Sequence, residues 1–286
     1  MQFVGAGSER TGVSRRGLLG AGAAAAALAA AGPAGAAVGD ADILNFALNL
    51  EYLEAEFYLR AAFGRGLDDG QTGGTGTRGA VTGGRQVPFA SRLIREYAQE
   101  IARDEAAHVR FLRRTLGAAA VARPRIDLRA SFTNAARAAG LVGPGESFDP
   151  FASEDGFLLG AFVFEDVGVT AYKGAATLIA AKPVLDAAAG ILAVEAYHAG
   201  EIRTLLRARG LVAQARKISD LRDAADGRGD KDRGVVDANW EADIVPTDGN
   251  GLAFGRSASQ VLDIVYLGGA AAGFGFFPAR LNGAIR

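Results

Sequence analysis

The chain has 286 residues, of which 49% are apolar, and its formal net charge at pH 7 is −1. This length allows one sizeable hydrophobic core and a smaller appendage. The near-zero charge gives no field that favours nucleic acid or an anionic membrane, so we expect neither as a partner. Cysteine is absent, which excludes disulfides, thiolate metal sites and cysteine nucleophiles. Any metal must be bound by carboxylate and imidazole, and the chain has two histidines.

The first 36 residues predict an export signal outside the fold. Ser14 to Leu19 read Ser-Arg-Arg-Gly-Leu-Leu, the pattern of a twin-arginine signal. An apolar stretch rich in alanine and glycine follows, and Ala34-Gly35-Ala36 supplies an A-x-A cleavage site. We therefore expect export by the twin-arginine route to the periplasm or the cell exterior. The alternative is a retained membrane anchor, although the stretch is short for the ~20 strongly apolar residues that a span needs.

Helical periodicity predicts four long helices between residues 40 and 210. The boundaries follow from capping residues, prolines and glycines. The predicted helices are Asp40–Phe63, about Pro88–Leu116, about Glu154–Ala180 and Pro183–Arg209. A Gly- and Thr-rich stretch at 64–84 predicts a flexible connection, and residues 124–150 predict a long crossover with a short helix near Ser131–Ala139.

The composition and the apolar periodicity of the sequence change after Gly210. Residues 219–255 are rich in Asp, Gly and charge with little periodicity, and Ser257–Leu267 predicts one short helix. No strand pattern is convincing. We predict an all-α fold, in which residues 37–212 form a four-helix bundle with one long crossover. Residues 213–286 should form a mostly irregular C-terminal extension that packs on the bundle.

Two Glu-x-x-His pairs carry both histidines of the chain. Glu105 and His108 lie on the second predicted helix, and Glu195 and His198 lie on the fourth. Residues three apart share one face of a helix, and both pairs interrupt apolar stripes that should face the core. Buried carboxylates are costly without compensation, and bound cations would supply it. The pairs therefore indicate metal ligands.

The first and third helices add one glutamate each. Glu51 is followed seven residues later by Tyr58, and Glu165 is followed seven residues later by Tyr172. The resulting order, with a Glu helix before each Glu-x-x-His helix, is the ligand signature of di-iron and di-manganese carboxylate bundles. We therefore predict two iron or manganese ions. The alternative is a vestigial site with a proton-shared or water-filled polar core.

Neighbouring polar residues have less certain positions. Glu54 lies three residues from Glu51, so it is either an alternative ligand or a group that contacts the ligands. Both tyrosines are either hydrogen-bond donors to the carboxylates or ordinary core aromatics. Glu56 should face solvent, and Asp166 should lie on the surface or behind the ligands.

Several segments resemble one family. Leu48–Tyr58 is similar to the first helix of ferritin-like proteins related to plant desiccation-related protein, and four segments of the tail strengthen the resemblance. These segments are Ile244–Asp248, Gly251–Arg256, Val261–Tyr266 and Gly275–Pro278. The resemblance implies a ferritin-like fold, secretion and an association with stress or desiccation, and it implies no defined reaction.

The function must therefore be argued from the predicted site. The first hypothesis is an exported di-metal protein that is redox-active toward oxygen or peroxide. The second is a non-catalytic structural or protective envelope protein, in which any metal only stabilises the fold. A cage for iron storage ranks below both. The sequence leaves open whether the chain forms a homo-oligomer.

Overall fold

The computed structural model describes residues 38–227, 229, 231–269 and 273–286. The predicted signal lies outside this part of the chain. Eight α-helices are described, and four of them, α1, α2, α5 and α6, hold the predicted site. The helices are α1 Asp40–Phe63, α2 Arg92–Leu116, α3 Ala130–Ala138, α4 Glu154–Phe162, α5 Glu165–Ala175, α6 Lys182–Ala208, α7 Val212–Asp226 and α8 Ala258–Val265. None of the described helices is both long enough and apolar enough to cross a lipid bilayer.

The bundle helices begin and end at identifiable residues. α1 ends at Gly64, which adopts the left-handed conformation with φ of 72° that glycine accommodates without strain. α2 starts at Arg92 and not at Pro88, because the Ser91 hydroxyl accepts a hydrogen bond from the Ile94 amide and caps the helix there. Pro183 lies in the first turn of α6, where its missing N–H costs no helical hydrogen bond. The all-α prediction is confirmed.

The third predicted helix is two helices. The chain leaves regular helix at residues 163–164, between α4 and α5, and Phe164 there packs its ring against Phe57, Phe132 and Phe276. Val163 and Phe164 are apolar, like the residues of α4 that precede them. Apolar periodicity alone therefore gives no sign that the helix is interrupted between α4 and α5.

The prediction also missed α7. Its buried face includes Ala215 and Ile218 at helical spacing, but it continues with Arg222 and Asp226. Charged residues at these positions are typical of a solvated face, so the sequence predicts an irregular extension here.

The Gly-rich stretch at 64–84 is held against the crossover. Val81–Thr82 (β1) pairs in parallel with Ile126–Asp127 (β2), and Thr75 exchanges backbone hydrogen bonds with Ala120 and Ala122. A Cβ on Gly79 would collide with the backbone of Arg125, so glycine permits this close approach.

Glu56 is fully buried under this stretch, which corrects the prediction that it faces solvent. Its carboxylate pairs with Arg60 at 3.0 Å and with Arg123, whose guanidinium also donates to the Gly79 carbonyl. Arg123 lies 67 residues away in sequence, so helical position alone does not reveal it.

A buried network of ion pairs fastens the C-terminal segment to the bundle. Its members are Asp166 of α5, Arg203 of α6, Arg222 and Asp226 of α7, and Asp232 and Arg256 beyond it. Asp166 Oδ2 lies 2.9 Å from guanidinium nitrogens of both Arg203 and Arg222. Asp166 is thus buried, and the alternative that placed it on the surface was wrong.

We expect Asp166→Asn to destabilise the protein strongly, because two buried guanidinium groups lose a shared counter-charge. The free energy of unfolding should fall by about 3–5 kcal/mol in urea titrations. The matched control is Glu96→Gln, which breaks an exposed pair with Arg92 and should cost less than about 1 kcal/mol. Equal losses for the two variants would show that the network contributes no more than a surface pair.

Candidate metal centre

The four bundle helices bring all six predicted ligand residues into two adjoining groups. The first group comprises Glu51, Glu105, His108 and Glu195, and the second comprises Glu105, Glu165 and His198. Within each group the donor atoms lie within 4.8 Å of one another, and every member is buried. Glu105 belongs to both groups, so its carboxylate lies between them. We refer to these six residues as the cluster.

His108 faces three carboxylates. Its Nδ1 atom lies 3.2 Å from Glu51 Oε2, 3.6 Å from Glu105 Oε2 and 3.8 Å from Glu195 Oε1. These atoms come from α1, α2 and α6, so one imidazole nitrogen marks the point where three helices converge.

His198 is oriented from both sides of its ring. Nδ1 lies 3.1 Å from Glu105 Oε1 and 3.6 Å from Glu165 Oε2, while Nε2 lies 3.3 Å from Asp104 Oδ2. With the Nε2 proton directed at Asp104, the Nδ1 lone pair is directed into the cluster, as a metal ligand requires. Sequence reasoning missed Asp104; its position next to Glu105 on a ligand helix was the available signal.

The two tyrosines cross between α1 and α5. Tyr58 on α1 donates its hydroxyl proton to Glu165 Oε1, and Tyr172 on α5 donates to Glu51 Oε1. Because each tyrosine lies seven residues after the glutamate of its own helix, this reciprocal pairing requires α1 and α5 to run antiparallel. Each bond fixes one carboxylate oxygen and leaves the other directed at the cluster.

The cluster contains eight buried oxygen and nitrogen atoms that make no well-aligned hydrogen bond, although the Nδ1 atoms of His108 and His198 approach carboxylate oxygens to 3.2 and 3.1 Å. They are Glu51 Oε2, Glu165 Oε2, both oxygens of Glu105 and of Glu195, and the Nδ1 atoms of His108 and His198. Leaving one such atom unsatisfied in a core costs about 1–3 kcal/mol, so eight together require a compensating partner. Oxygen and imidazole nitrogen are donors that iron and manganese accept. The residues present therefore fit two such ions.

Glu54 is a fifth buried carboxylate beside the cluster, 5% exposed. It belongs to neither group of converging donor atoms. Gly168 of α5 explains how the carboxylates approach so closely: a Cβ there would collide with Glu195 Oε2 and lie 3.5 Å from Glu54 Oε1. Glycine in mid-helix costs about 1 kcal/mol relative to alanine, and here it provides the space for Glu195.

The metal-free cluster retains protons. Burial raises the pKa of Glu51 to about 7 despite the attraction of His108, and burial together with neighbouring carboxylates raises the pKa of Glu54 and Glu195 well above the usual range. Burial opposes the charged form of His108, yet Glu51 and Glu105 outweigh it and raise the pKa of this imidazole to about 11. Metal binding must displace the protons of the ligand residues Glu51, His108 and Glu195.

The comparisons with known proteins agree with this geometry. The sequence pattern of the ferritin-like domain matches residues 39–208, and the chain belongs to that family. It is 33% identical over 241 residues to the desiccation-related protein PCC13-62 of Craterostigma plantagineum, covering 78% of this chain and 76% of the relative. It is 30% identical over 272 residues to the ferritin-like catalase Nec2 of Nesocodon mauritianus, covering 86% and 84%. No solved structure matches. The predicted resemblance is confirmed.

We expect Asp104→Asn to weaken metal binding, because the amide cannot accept the His198 Nε2 proton as strongly as the carboxylate does. Loss of such a supporting carboxylate typically lowers metal affinity by about 10- to 100-fold, which chelator competition would measure. Glu100→Gln, one turn earlier on the exposed side of α2, is the matched control and should retain affinity. Equal metal affinities for the two variants would show that Asp104 does not support metal binding.

The stabilisation that metal provides should grow with pH. In metal-free protein, the Glu51 pKa is raised from 4.5 and the His108 pKa from 6.5, so both contributions to stability are lost as pH rises through about 7 and toward about 11. Bound metal replaces these protons and removes much of that loss. Melting temperatures with metal and with chelator, measured between about pH 6 and 9, should diverge as pH rises. A gap that stays constant or narrows would contradict this linkage.

Proposed function

We propose that the protein binds two iron or manganese ions in the cluster and that the loaded centre disproportionates hydrogen peroxide. The observation that carries the proposal is the set of eight unpartnered donor atoms inside the bundle. Support also comes from the family and from the similarity to Nec2, which is named a ferritin-like catalase.

The free oxygens suggest how the residues would share two ions. Glu105 belongs to both groups and keeps both oxygens unpartnered, so its carboxylate would serve both ions, whereas Glu195 would serve the first group. Glu51 and Glu165 each have one oxygen engaged by a tyrosine and would each offer the other. His108 would offer its Nδ1 atom to the first group and His198 its Nδ1 atom to the second.

Peroxide is favoured over oxygen because its disproportionation balances without a further reactant. One peroxide loses two electrons and two protons and becomes O₂, and a second takes up both and becomes two waters. Two bound iron or manganese ions would supply the two-electron change. Reduction of oxygen would instead require a separate electron donor.

Residues of the chain would hold and transfer the protons that peroxide disproportionation moves. Tyr58 and Tyr172 hold protons on hydroxyls directed at Glu165 and Glu51, and Glu54 is a buried carboxylate beside the cluster whose pKa burial raises in the metal-free protein. These groups lie in a buried site, because each residue of the cluster is at most 8% exposed. The burial keeps bulk water away from the reacting oxygen atoms.

The proposal includes export by the twin-arginine route, supported by the Ser14–Leu19 pattern and the Ala34–Ala36 cleavage site. A role in stress or desiccation is supported by the similarity to the desiccation-related protein of Craterostigma plantagineum. The second candidate, a protective envelope protein without turnover, is favoured by the buried ion-pair network and the Gly-rich stretch at 64–84, because no described hydrogen bond or ion pair joins either of them to the cluster.

Metal content and peroxide consumption of protein purified without chelators test the proposal. We expect near two iron or manganese ions per chain and O₂ release at half the rate of peroxide loss, as the stoichiometry requires. Glu105→Gln should lose both properties, since this carboxylate serves both groups. Asp186→Asn, an exposed acidic residue of α6, is the control and should retain both.

The outcomes separate the candidates. Protein without near-stoichiometric metal would refute the metal centre itself. Protein that binds two ions per chain yet leaves peroxide unchanged would refute the catalytic proposal and favour the protective one.

A further inference from the structure

We propose that an apolar pocket at one end of the bundle is the entry route through which small uncharged oxidants reach the cluster. This inference rests on the proposed function and specifies its substrate class. The pocket has a volume of about 220 Å³ and lies between α1, α2, α5 and α6. We call it the end pocket.

The end pocket lies along the bundle from the cluster. Four of its lining residues lie seven positions from a cluster glutamate on the same helix. These are Leu44 before Glu51, Leu112 after Glu105, Tyr172 after Glu165 and Ala188 before Glu195. Seven residues are two helical turns, which return to the same face about 10 Å further along. The pocket therefore continues the interior faces that carry the glutamates.

The pocket has a buried floor and an open mouth. Leu44, Leu112, Tyr172, Ala188 and Ile191 are buried and form the floor. The mouth consists of partly or fully exposed residues, namely Phe111, Thr115, Pro183, Val184 and Ala187. A molecule that enters at the mouth thus moves toward the interior of the bundle.

Tyr172 joins the end pocket to the cluster. Its ring lines the floor, and its hydroxyl donates a hydrogen bond to Glu51 Oε1. A molecule at the floor is therefore one side chain away from a proposed ligand.

The lining selects against ions. No charged residue lines the described pocket, and its side-chain polar atoms are the hydroxyls of Thr115 and Tyr172. A divalent cation would lose its hydration here without compensation, which costs far more than the transfer of a small neutral molecule. Hydrogen peroxide and oxygen are neutral and small, so they fit this route, whereas metal ions do not.

Ala188→Leu tests the route by narrowing the floor in the full-length, metal-loaded protein. We expect its kcat/KM for hydrogen peroxide to fall by about tenfold or more, with metal content unchanged. A second variant, Ala187→Leu, narrows the mouth and should act in the same direction.

The chain offers a matched control. A second apolar cavity of about 220 Å³ lies between α3, α4, α7 and α8, and none of its lining residues belongs to the cluster or contacts it through a hydrogen bond. Ala135, which is 5% exposed, lines that cavity as Ala188, 4% exposed, lines the end pocket. Ala135→Leu should leave kcat/KM unchanged.

Xenon provides a readout that does not depend on turnover, because this gas occupies apolar cavities. Crystals pressurised with xenon should show it at the end pocket of wild-type protein and not of Ala188→Leu. Absence of xenon from the wild-type pocket, or equal kcat/KM for Ala188→Leu and Ala135→Leu, would overturn the route. Loaded wild-type protein that leaves peroxide unchanged would instead overturn the proposed function, so the two failures are distinguishable.

Discussion

The burial of five glutamates in one layer of the bundle is the constraint on which the rest of the structure depends. Glu51, Glu54, Glu105, Glu165 and Glu195 are each at most 5% exposed. Such charges are tolerated in a core only when cations or protons balance them. The helices must also approach closely enough for the carboxylates to share partners, which is where Gly168 and the reciprocal tyrosines act. The packing of the helices and the geometry of the cluster therefore depend on each other.

The sequence predicts the features that a helix repeats by itself. Glu-x-x-His pairs on apolar stripes, and glutamates followed by a tyrosine two turns later, identify inward faces without any tertiary information. Prediction from the sequence fails where the ion-pair partner of a residue lies far away along the chain. Glu56 is predicted to face solvent because its partner Arg123 is distant in sequence. The burial of Asp166 likewise depends on the distant residues Arg203 and Arg222. The charged inner face of α7 escaped detection for the same reason.

Two kinds of neutralisation occur in one small protein. In the network, every aspartate meets an arginine, so opposite charges balance within the chain, although Arg222 Nε, Asp226 Oδ1 and Asp232 Oδ1 make no hydrogen bond. In the cluster, acidic side chains outnumber basic ones, and donor atoms remain unpartnered. The charges of the network balance one another within the chain, whereas the cluster needs protons or cations to balance its excess of carboxylates. This difference distinguishes the two uses of buried charge.

The network also extends the unit that must fold together. The ferritin-like domain match ends at residue 208, yet Asp166 within it pairs with Arg222 beyond it, and Arg222 also pairs with Asp232. A chain cut at residue 208 would keep all six residues of the cluster but would lose one of the two arginines that flank Asp166. The segment that identifies the family by sequence is therefore shorter than the segment that balances its own buried charge.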